Sequence, residues 1–470
     1  MAPGDEAAVV ADDGTDALLQ EAWTALGGDP ALLDLVQLTG DGTGLLPSAL
    51  AAMGAMGAAV AASTLAASVL DATRRRVAPS RVVVDREHVA VAARSEHYAR
   101  TGALVPSEGF SPFSRFWRTA DGSWIRLHGE YPWHRERALR VLESDDSHQG
   151  IRAAVLRWRG EDLERSLAAA GALGYVVRSE QQWHEHPQGR AVAALPLLQH
   201  ETSGGTGRPS VAGRGAVGLR VIDMTRVLAG PIATRTLAAW GAEVLRIDSP
   251  RLPELPAHAL DTLSGKRSAE LDLARPAARA RLDELLADAD LLVHGYRPGA
   301  LARLGLEAHA LAERHPHLNV VTLSAWGPSG PWAAWRGFDS LVQCPTGIAL
   351  AEGRDGLPGT LPAQVLDHAT GYLAAAASLL ALAAVQMGAR PRVVHLSLAQ
   401  TARWLLGARR PAPVPPRRPD VDAYRVVLGG ARAPVEVISP PGRIADLRPG
   451  WSATTELGAD APEFAGGGAP

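Results

Sequence analysis

Cysteine is almost absent from this chain: Cys344 is the single one. No internal disulfide can form, which suits a reducing compartment, and the expected location is cytoplasmic. A lone cysteine with no His or Asp beside it reads as a small buried hydrophobe more readily than as a nucleophile. Clusters of Cys and His at metal-ligand spacing are lacking. The nearest approach, His184 and His186 around Glu185, reads as solvated surface, and no metal is expected. Charge of one sign is lacking too. Charged residues make up 21% of the chain and the formal net charge is −3, so nucleic acid is not expected as a partner. The acidic N-terminus has no apolar signal core. Residues 49–70 carry no charge over 22 positions, long enough to cross a bilayer. They are mostly Ala, Gly and Ser, however, with no aromatic belt, so a buried helix and no membrane partner are expected.

What the chain does have is alternation. With 470 residues it can hold two or more domains and a large core. In the second half, short apolar strands at 219–223, 243–247, 291–293, 319–323 and 392–396 alternate with helical stretches at 232–240, 277–287, 371–387 and up to Leu406. Short connections between them imply a parallel sheet covered by helices, an α/β, doubly wound Rossmann-like layer. The first half reads differently. Phe116-Trp-Arg-Thr-Ala-Asp-Gly-Ser-Trp-Ile-Arg-Leu-His128 is a turn leading into a strand, and residues 168–178 end a helix and enter a strand. Pro and Arg dominate 409–418, a linker, and the tail after Asp460 is expected to fray. A weak internal repeat is also present: Leu46-Pro-Ser-Ala-Leu-Ala-Ala-Met-Gly-Ala-Met-Gly57 echoes residues 361–371, with Ala51, Ala52 and Met53 where the second copy has Asp367.

Asp367 stands in Leu361-Pro-Ala-Gln-Val-Leu-Asp-His-Ala-Thr-Gly-Tyr372, just before the apolar helix. A carboxylate at a helix N-terminus is expected to be kept ionised by free N–H groups and the dipole. On that stretch alone an ordinary helix cap is the simpler reading, and a covalent nucleophile the other. The stretch before it carries Gly218-Leu-Arg-Val-Ile-Asp-Met-Thr-Arg-Val-Leu-Ala-Gly-Pro231, Leu237-Ala-Ala-Trp-Gly-Ala-Glu-Val-Leu-Arg-Ile-Asp248, Gly265-Lys-Arg-Ser-Ala-Glu-Leu-Asp272 and Tyr296-Arg-Pro-Gly-Ala-Leu-Ala-Arg-Leu-Gly305. Leu323-Ser-Ala-Trp-Gly-Pro-Ser-Gly-Pro331 and Arg336-Gly-Phe-Asp339 follow. In this order they strongly resemble the class III CoA-transferases of the CaiB/BaiF type, from about Gly218 to Trp404.

The resemblance implies a CoA-transferase that moves CoA between an acyl-CoA thioester and a carboxylic acid, with Asp367 carrying the acyl group. Coenzyme A enters as the acyl-CoA substrate. The family pattern points to a CoA cradle at Leu228, Ala229, Leu271, Gly295, Tyr296, Arg297, Arg303, Ser324, Ala325, Trp326 and Gly327. Arg297 and Arg303 would meet phosphates, with solvated surface as the other reading. Trp326 would lid the thioester, or pack in the core. Where the family often has a basic residue after the second strand's acid, this chain has Ser249, and Arg251 is the candidate substitute. Ser107-Glu-Gly-Phe110 is the closest match to the family's glycine-rich loop, with one glycine and no role assigned. The small α+β domain normally follows the catalytic region, whereas here it precedes it. The implied organisation is a degenerate half-core (1–100), the small domain (101–200), a linker (201–217), the catalytic core (218–408), a Pro/Arg-rich linker (409–424) and a return strand with tail (425–470). Relatives form interlocked dimers, and a homodimer is expected unless the fused half-core replaces that contact.

Three rivals remain open at this level. Asp248 ends a second strand as the ribose-binding acid of dinucleotide enzymes does, but the first turn, Thr225-Arg-Val-Leu-Ala-Gly-Pro231, lacks the G-x-G-x-x-G pattern. An α-methylacyl-CoA racemase of the same family would need a His where Phe338 stands, with His368 as the only neighbouring substitute. A non-catalytic acyl-CoA-binding homologue is the third.

Overall fold

The computed structural model describes residues 13–102, 110–208 and 213–465. In its first part, strands β1 (Val36–Thr39) and β2 (Val82–Asp85) pair in parallel, joined across the helix Ala52–Arg75. A hairpin of β3 (Phe116–Arg118) and β4 (Trp124–Leu127), joined antiparallel by β5 (Gly174–Val176), builds a separate small sheet. Helices Pro132–Leu142, His148–Val155 and Gly160–Ala169 cover it, enclosing Ile125, Leu127, Leu142, Ile151 and Leu163. This small sheet with its helices lies within the 101–200 range.

The large sheet has seven strands. They are β6 (Leu198–Thr202), β7 (Arg220–Met224), β8 (Glu243–Asp248), β9 (Lys266–Glu270), β10 (Leu291–His294), β11 (Asn319–Ser324) and β12 (Arg392–Ser397). Their order is β6-β12-β11-β10-β7-β8-β9, all parallel except β6, which runs antiparallel along β12. Leaving β6 aside, the order is that of the doubly wound dinucleotide-type sheet, and the direction of winding reverses between β7 and β10. Ligands of such sheets bind at that reversal, beyond the C-terminal strand ends. The β6 edge strand is an addition to the sequence reading, and it carries regular structure into the segment taken as a linker. Its alternating Gln199, His200 and Glu201 gave no apolar run to signal a strand.

The chain closes with the hairpin β13 (Arg425–Leu428) and β14 (Val435–Ile438), then β15 (Arg443–Ile444), which runs antiparallel to β2. The return therefore rejoins the first part of the molecule rather than the large sheet. The tail is not frayed as far as it is described. The Asp460 N–H donates to the Ser268 carbonyl, and Phe464 is buried beside Leu292 and Leu285. An aromatic anchor within an Ala/Gly/Pro stretch was the overlooked signal.

Two helices, Ala52–Arg75 and Val365–Gln386, are long and apolar enough to cross a membrane, yet 94% of each apolar window is buried inside the molecule. They pack on each other, and a helix apolar on all sides requires such burial. Each links two parallel strands, β1 to β2 and β11 to β12, and each following helix is capped by the last strand residue. Asp85 accepts from the Glu87 N–H and Ser397 from the Gln400 N–H. The repeat seen in the sequence thus has a shared strand–helix–strand–helix order.

Candidate active site

Asp367 lies in the first turn of Val365–Gln386, a helix that begins six residues before the expected Gly371 because Val365, Leu366 and His368 are buried and extend its apolar surface. Neither sequence-level statement about its surroundings holds. Asp367 does not cap the helix. Asp339 does so from outside: its Oδ2 accepts from the Asp367 N–H at 3.0 Å, and the Leu366 N–H stabilises the same carboxylate. Nor does the helix end keep Asp367 ionised. Burial, then the Asp339 and Glu96 carboxylates, hold its carboxyl well above the usual carboxylate range. The helix N–H groups that would have lowered it are spent on Asp339, which Gln343 also binds. Asp339 too is raised, chiefly by burial.

Gly371 follows Asp367 by one turn and shares its face of the helix. A Cβ at Gly371 would stand 2.6 Å from the Ala229 carbonyl oxygen, so this glycine admits the start of the helix Ala229–Ala239. Asp367 and the predicted cradle residues Leu228 and Ala229 are thereby brought to one place. That helix carries no side-chain cap.

The turn leading into it is pinned from below. At the end of β7, Asp223 accepts from the Thr225 N–H at 2.9 Å and from Lys266 Nζ at 2.9 Å. Lys266 is the only lysine of the chain and also reaches the Pro231 carbonyl at 3.0 Å. Burial pushes its ammonium down to about 8, against the pull of Asp223. Val227 takes a left-handed backbone, φ 66°, costly for a β-branched residue. Its N–H donates to Glu254 Oε2 at 2.9 Å, and Arg246 and the Tyr131 hydroxyl hold the same carboxylate. Although burial opposes it, Arg246 and Arg226 keep Glu254 ionised, with its pKa lowered to about 2.

The other predicted residues scatter along the strand ends. Gly295 follows β10 directly and its Cα lies near Thr225, whereas Tyr296 is half-buried. Arg297 is half-buried and donates to the Ala334 carbonyl at 3.0 Å, while Arg303 is exposed. Leu271 is buried after β9. Arg251 pairs with Asp272 at 2.9 Å and is not free to replace the missing base after β8. Ser324 Oγ accepts from the Gly327 N–H at 3.2 Å and so shapes the loop around Ala325. Trp326 is core, not a lid: it is 1% exposed, donates to the Tyr175 hydroxyl at 3.0 Å and packs on Trp183 and Trp332. His186 is not solvated surface either. It stacks on Trp183 and packs tilted against Trp332, half-buried, and burial lowers it to about 4. Cys344 is buried, its thiol pushed up to about 12, as a small hydrophobe should be. Asp248 is tied to Arg246 at 2.8 Å. Ser107, Glu108 and Gly109 lie outside the described residues.

Glu96 and His128, beside the site, escaped the sequence reading. His368 turns away from Asp367, as neighbours on a helix do, and meets Glu96 at 3.0 Å, both side chains buried. His368 and its hydrogen bond outweigh burial and hold Glu96 at about 2. Phe338, just before Asp339, stacks on His128 with ring centroids 4.4 Å apart. Burial and the Arg126 charge push His128 down to about 3. A histidine thus lies against Phe338, where the racemase reading would need one.

Residues 217–417 match the model of CoA-transferase family III, which is the resemblance the motifs carried. An acyl-CoA transferase of Gibberella moniliformis is 29% identical over 55% of this chain and 50% of its own length. A formyl-CoA:oxalate CoA-transferase of Bradyrhizobium diazoefficiens is 32% identical over 33% of this chain and 39% of its own. The chain thus spans half or less of the length of these relatives. Among solved structures, a CAIB/BAIF family protein from Brucella suis is 23% identical, covers 47% of this chain and 64% of its own, and has a TM-score of 0.36.

Proposed function

We propose, from the family III segment and the placement of Asp367, that this protein is an acyl-CoA:carboxylate CoA-transferase with Asp367 as its covalent nucleophile. The observation that carries the proposal is the buried Asp367 carboxyl, one helical turn before the Gly371 that meets the uncapped helix start at Ala229, with its own helix N–H groups withheld by Asp339. A carboxylate that gives up its proton reluctantly is the more nucleophilic once ionised. It attacks the acyl carbon of the donor, forming a mixed anhydride and releasing the CoA thiolate. The thiolate returns to the aspartyl carbonyl, releasing the donor acid and leaving an aspartyl thioester. The acceptor carboxylate then attacks that thioester, and the same steps run in reverse. Both intermediates are labile to water, and the burial of Asp367, at 5% exposure, supplies the shelter.

Acyl-CoA would enter as substrate over the strand ends where β7 and β10 part, with Arg297 and Arg303 available to its phosphates. Cytoplasmic location is part of the proposal and rests on the single Cys344. Phe338 and the weakly basic His128 support transfer over α-proton chemistry. The test is acyl transfer from a panel of acyl-CoAs to free acids, followed by hydroxylamine. Wild-type protein should yield a trapped adduct on the Asp367 peptide, and Asp367→Asn should lose both turnover and adduct. Asp367→Asn turning over at the wild-type rate would overturn the assignment.

A further inference from the structure

Strand β4 turns Ile125 and Leu127 into the small core, so Trp124, Arg126 and His128 stand on the opposite face. Arg126 is 4% exposed, and its guanidinium carbon lies 5.0 Å from the ring centroids of both Phe110 and Phe116. Its Nε is buried without a partner, and among the described residues no carboxylate forms an ion pair with it. Other deeply buried arginines are paired: Arg178 with Glu164, Arg235 with Asp261, Arg246 with Asp248 and Glu254. The groups that face Arg126 are Asp339, Glu130 and Cys344, acting through space only. Glu130 is occupied by the Ser111 N–H, and Asp339 by Gln343 and the Asp367 N–H. An unpaired buried cation is costly, and two ring faces offset only part of the cost.

The same rings belong to an opening. Phe110, Phe116 and Trp124, with Ser111, Ser114, Arg115, Leu357 and Pro358, line an open groove of about 470 Å³. Phe110 and Leu357 are exposed hydrophobics. Inward from Phe110, His128 lies 5.8 Å away and Phe338 stacks beyond it, next to Asp339 and hence to the Asp367 backbone. The groove therefore has a largely aromatic wall with Arg115 on its lining, and Arg126 lies behind Phe110 and Phe116 as a buried cation without an ion pair among the described residues.

We propose that Arg126 is the carboxylate-binding residue for the acceptor acid, and that the acceptor is an amphipathic monocarboxylic acid whose apolar tail lies along Phe110, Phe116 and Trp124. This deepens the transferase reading and rests on it. Arg126 forms and breaks no bond: its guanidinium supplies paired N–H donors to a planar carboxylate, and the rings exclude water around them. The position gives the acid head and tail separate partners, so charge and apolar length should both be needed for binding.

Calorimetric titration of the full chain with hexanoate, phenylpropanoate, the neutral hexanamide and free CoA tests this. Wild-type protein should bind both acids and bind hexanamide about tenfold or more weakly. Arg126→Gln should lose about tenfold or more for the acids and leave the CoA isotherm unchanged, while Arg126→Lys, which keeps the charge, should recover part of the loss. The proposal falls if hexanamide binds wild-type protein as tightly as hexanoate, if neither acid binds, or if Arg126→Gln binds the acids like wild type or loses CoA equally. The first comparison needs no variant to fold. Hydroxylamine trapping is read separately. Arg126-dependent acid binding with no adduct on Asp367 would remove the transfer step and leave the carboxylate site. An adduct with Arg126-independent acid binding would do the reverse.

Discussion

At the residue scale, Asp367 is a carboxyl placed against other carboxyls in a dry site. Burial comes first, then Asp339 and Glu96, and together they favour its protonated form. The linkage has a definite sign. A carboxyl whose folded pKa lies above its unfolded value, near 3.8, favours the folded state below that value and withdraws the benefit as pH rises. Asp367→Asn removes the titration and keeps the shape. It should raise thermal stability at neutral pH by about 1 kcal/mol or more, and the gain should shrink as pH falls toward 4. Melting curves across that range check it, and an Asn variant less stable than wild type at neutral pH would contradict the electrostatic account. Position alone suggested the opposite charge state, because Asp339, some thirty residues earlier in sequence, competes for the same helix N–H groups and no local pattern reveals that.

At the scale of elements, the site depends on the close meeting of two helices. Gly371 lets Val365–Gln386 approach the Ala229 turn, and a Cβ there would press the Ala229 carbonyl and, at 2.9 Å, the Ile232 Cβ. Gly371→Ala should cost about 1–3 kcal/mol of stability and should lower transfer more than the stability loss explains, since it moves Asp367 off the cradle. Denaturant unfolding beside steady-state rates checks it; unchanged rates at unchanged stability would show that the approach is not needed. The Glu96–His368 pair holds the same helix from the first part of the chain. Glu96→Ala leaves a buried ring nitrogen without its partner and should destabilise by about 3 kcal/mol, read as a lower denaturant midpoint. Wild-type stability from this pair is full above the usual Glu value of 4.5 and declines as pH falls toward about 2.

At the scale of the molecule, the parallel sheet was legible because its strands are continuous apolar runs: β7, β8, β10, β11 and β12 each lie within a residue or two of their expected bounds. Leu228, Ala229, Gly295 and Ser324 were expected from the family resemblance, and the observed strands place them at or just after strand ends. What was not legible depends on contacts between distant segments. Trp326 became core because Tyr175 and Trp183, some 150 residues earlier in sequence, close over it. Arg126 looked like one more strand arginine until Phe110 and Phe116 enclosed it. β15 rejoins β2 across most of the chain, and two residues of strand carry no sequence signal. The first part of the chain supports the Asp367 helix along its length and supplies Glu96 at its start, so it belongs to the framework that holds Asp367.

The central claim is that Asp367 itself becomes covalently acylated, and oxygen transfer tests it most directly. An acceptor acid labelled with heavy oxygen in its carboxylate is turned over with its acyl-CoA partner, and the Asp367 peptide is then weighed. When a labelled carboxylate attacks the aspartyl thioester and the anhydride is next opened at the acyl carbon, one labelled oxygen stays on the aspartate. Wild-type protein should therefore carry heavy oxygen on Asp367 after turnover. Turnover that leaves Asp367 unlabelled would contradict the account.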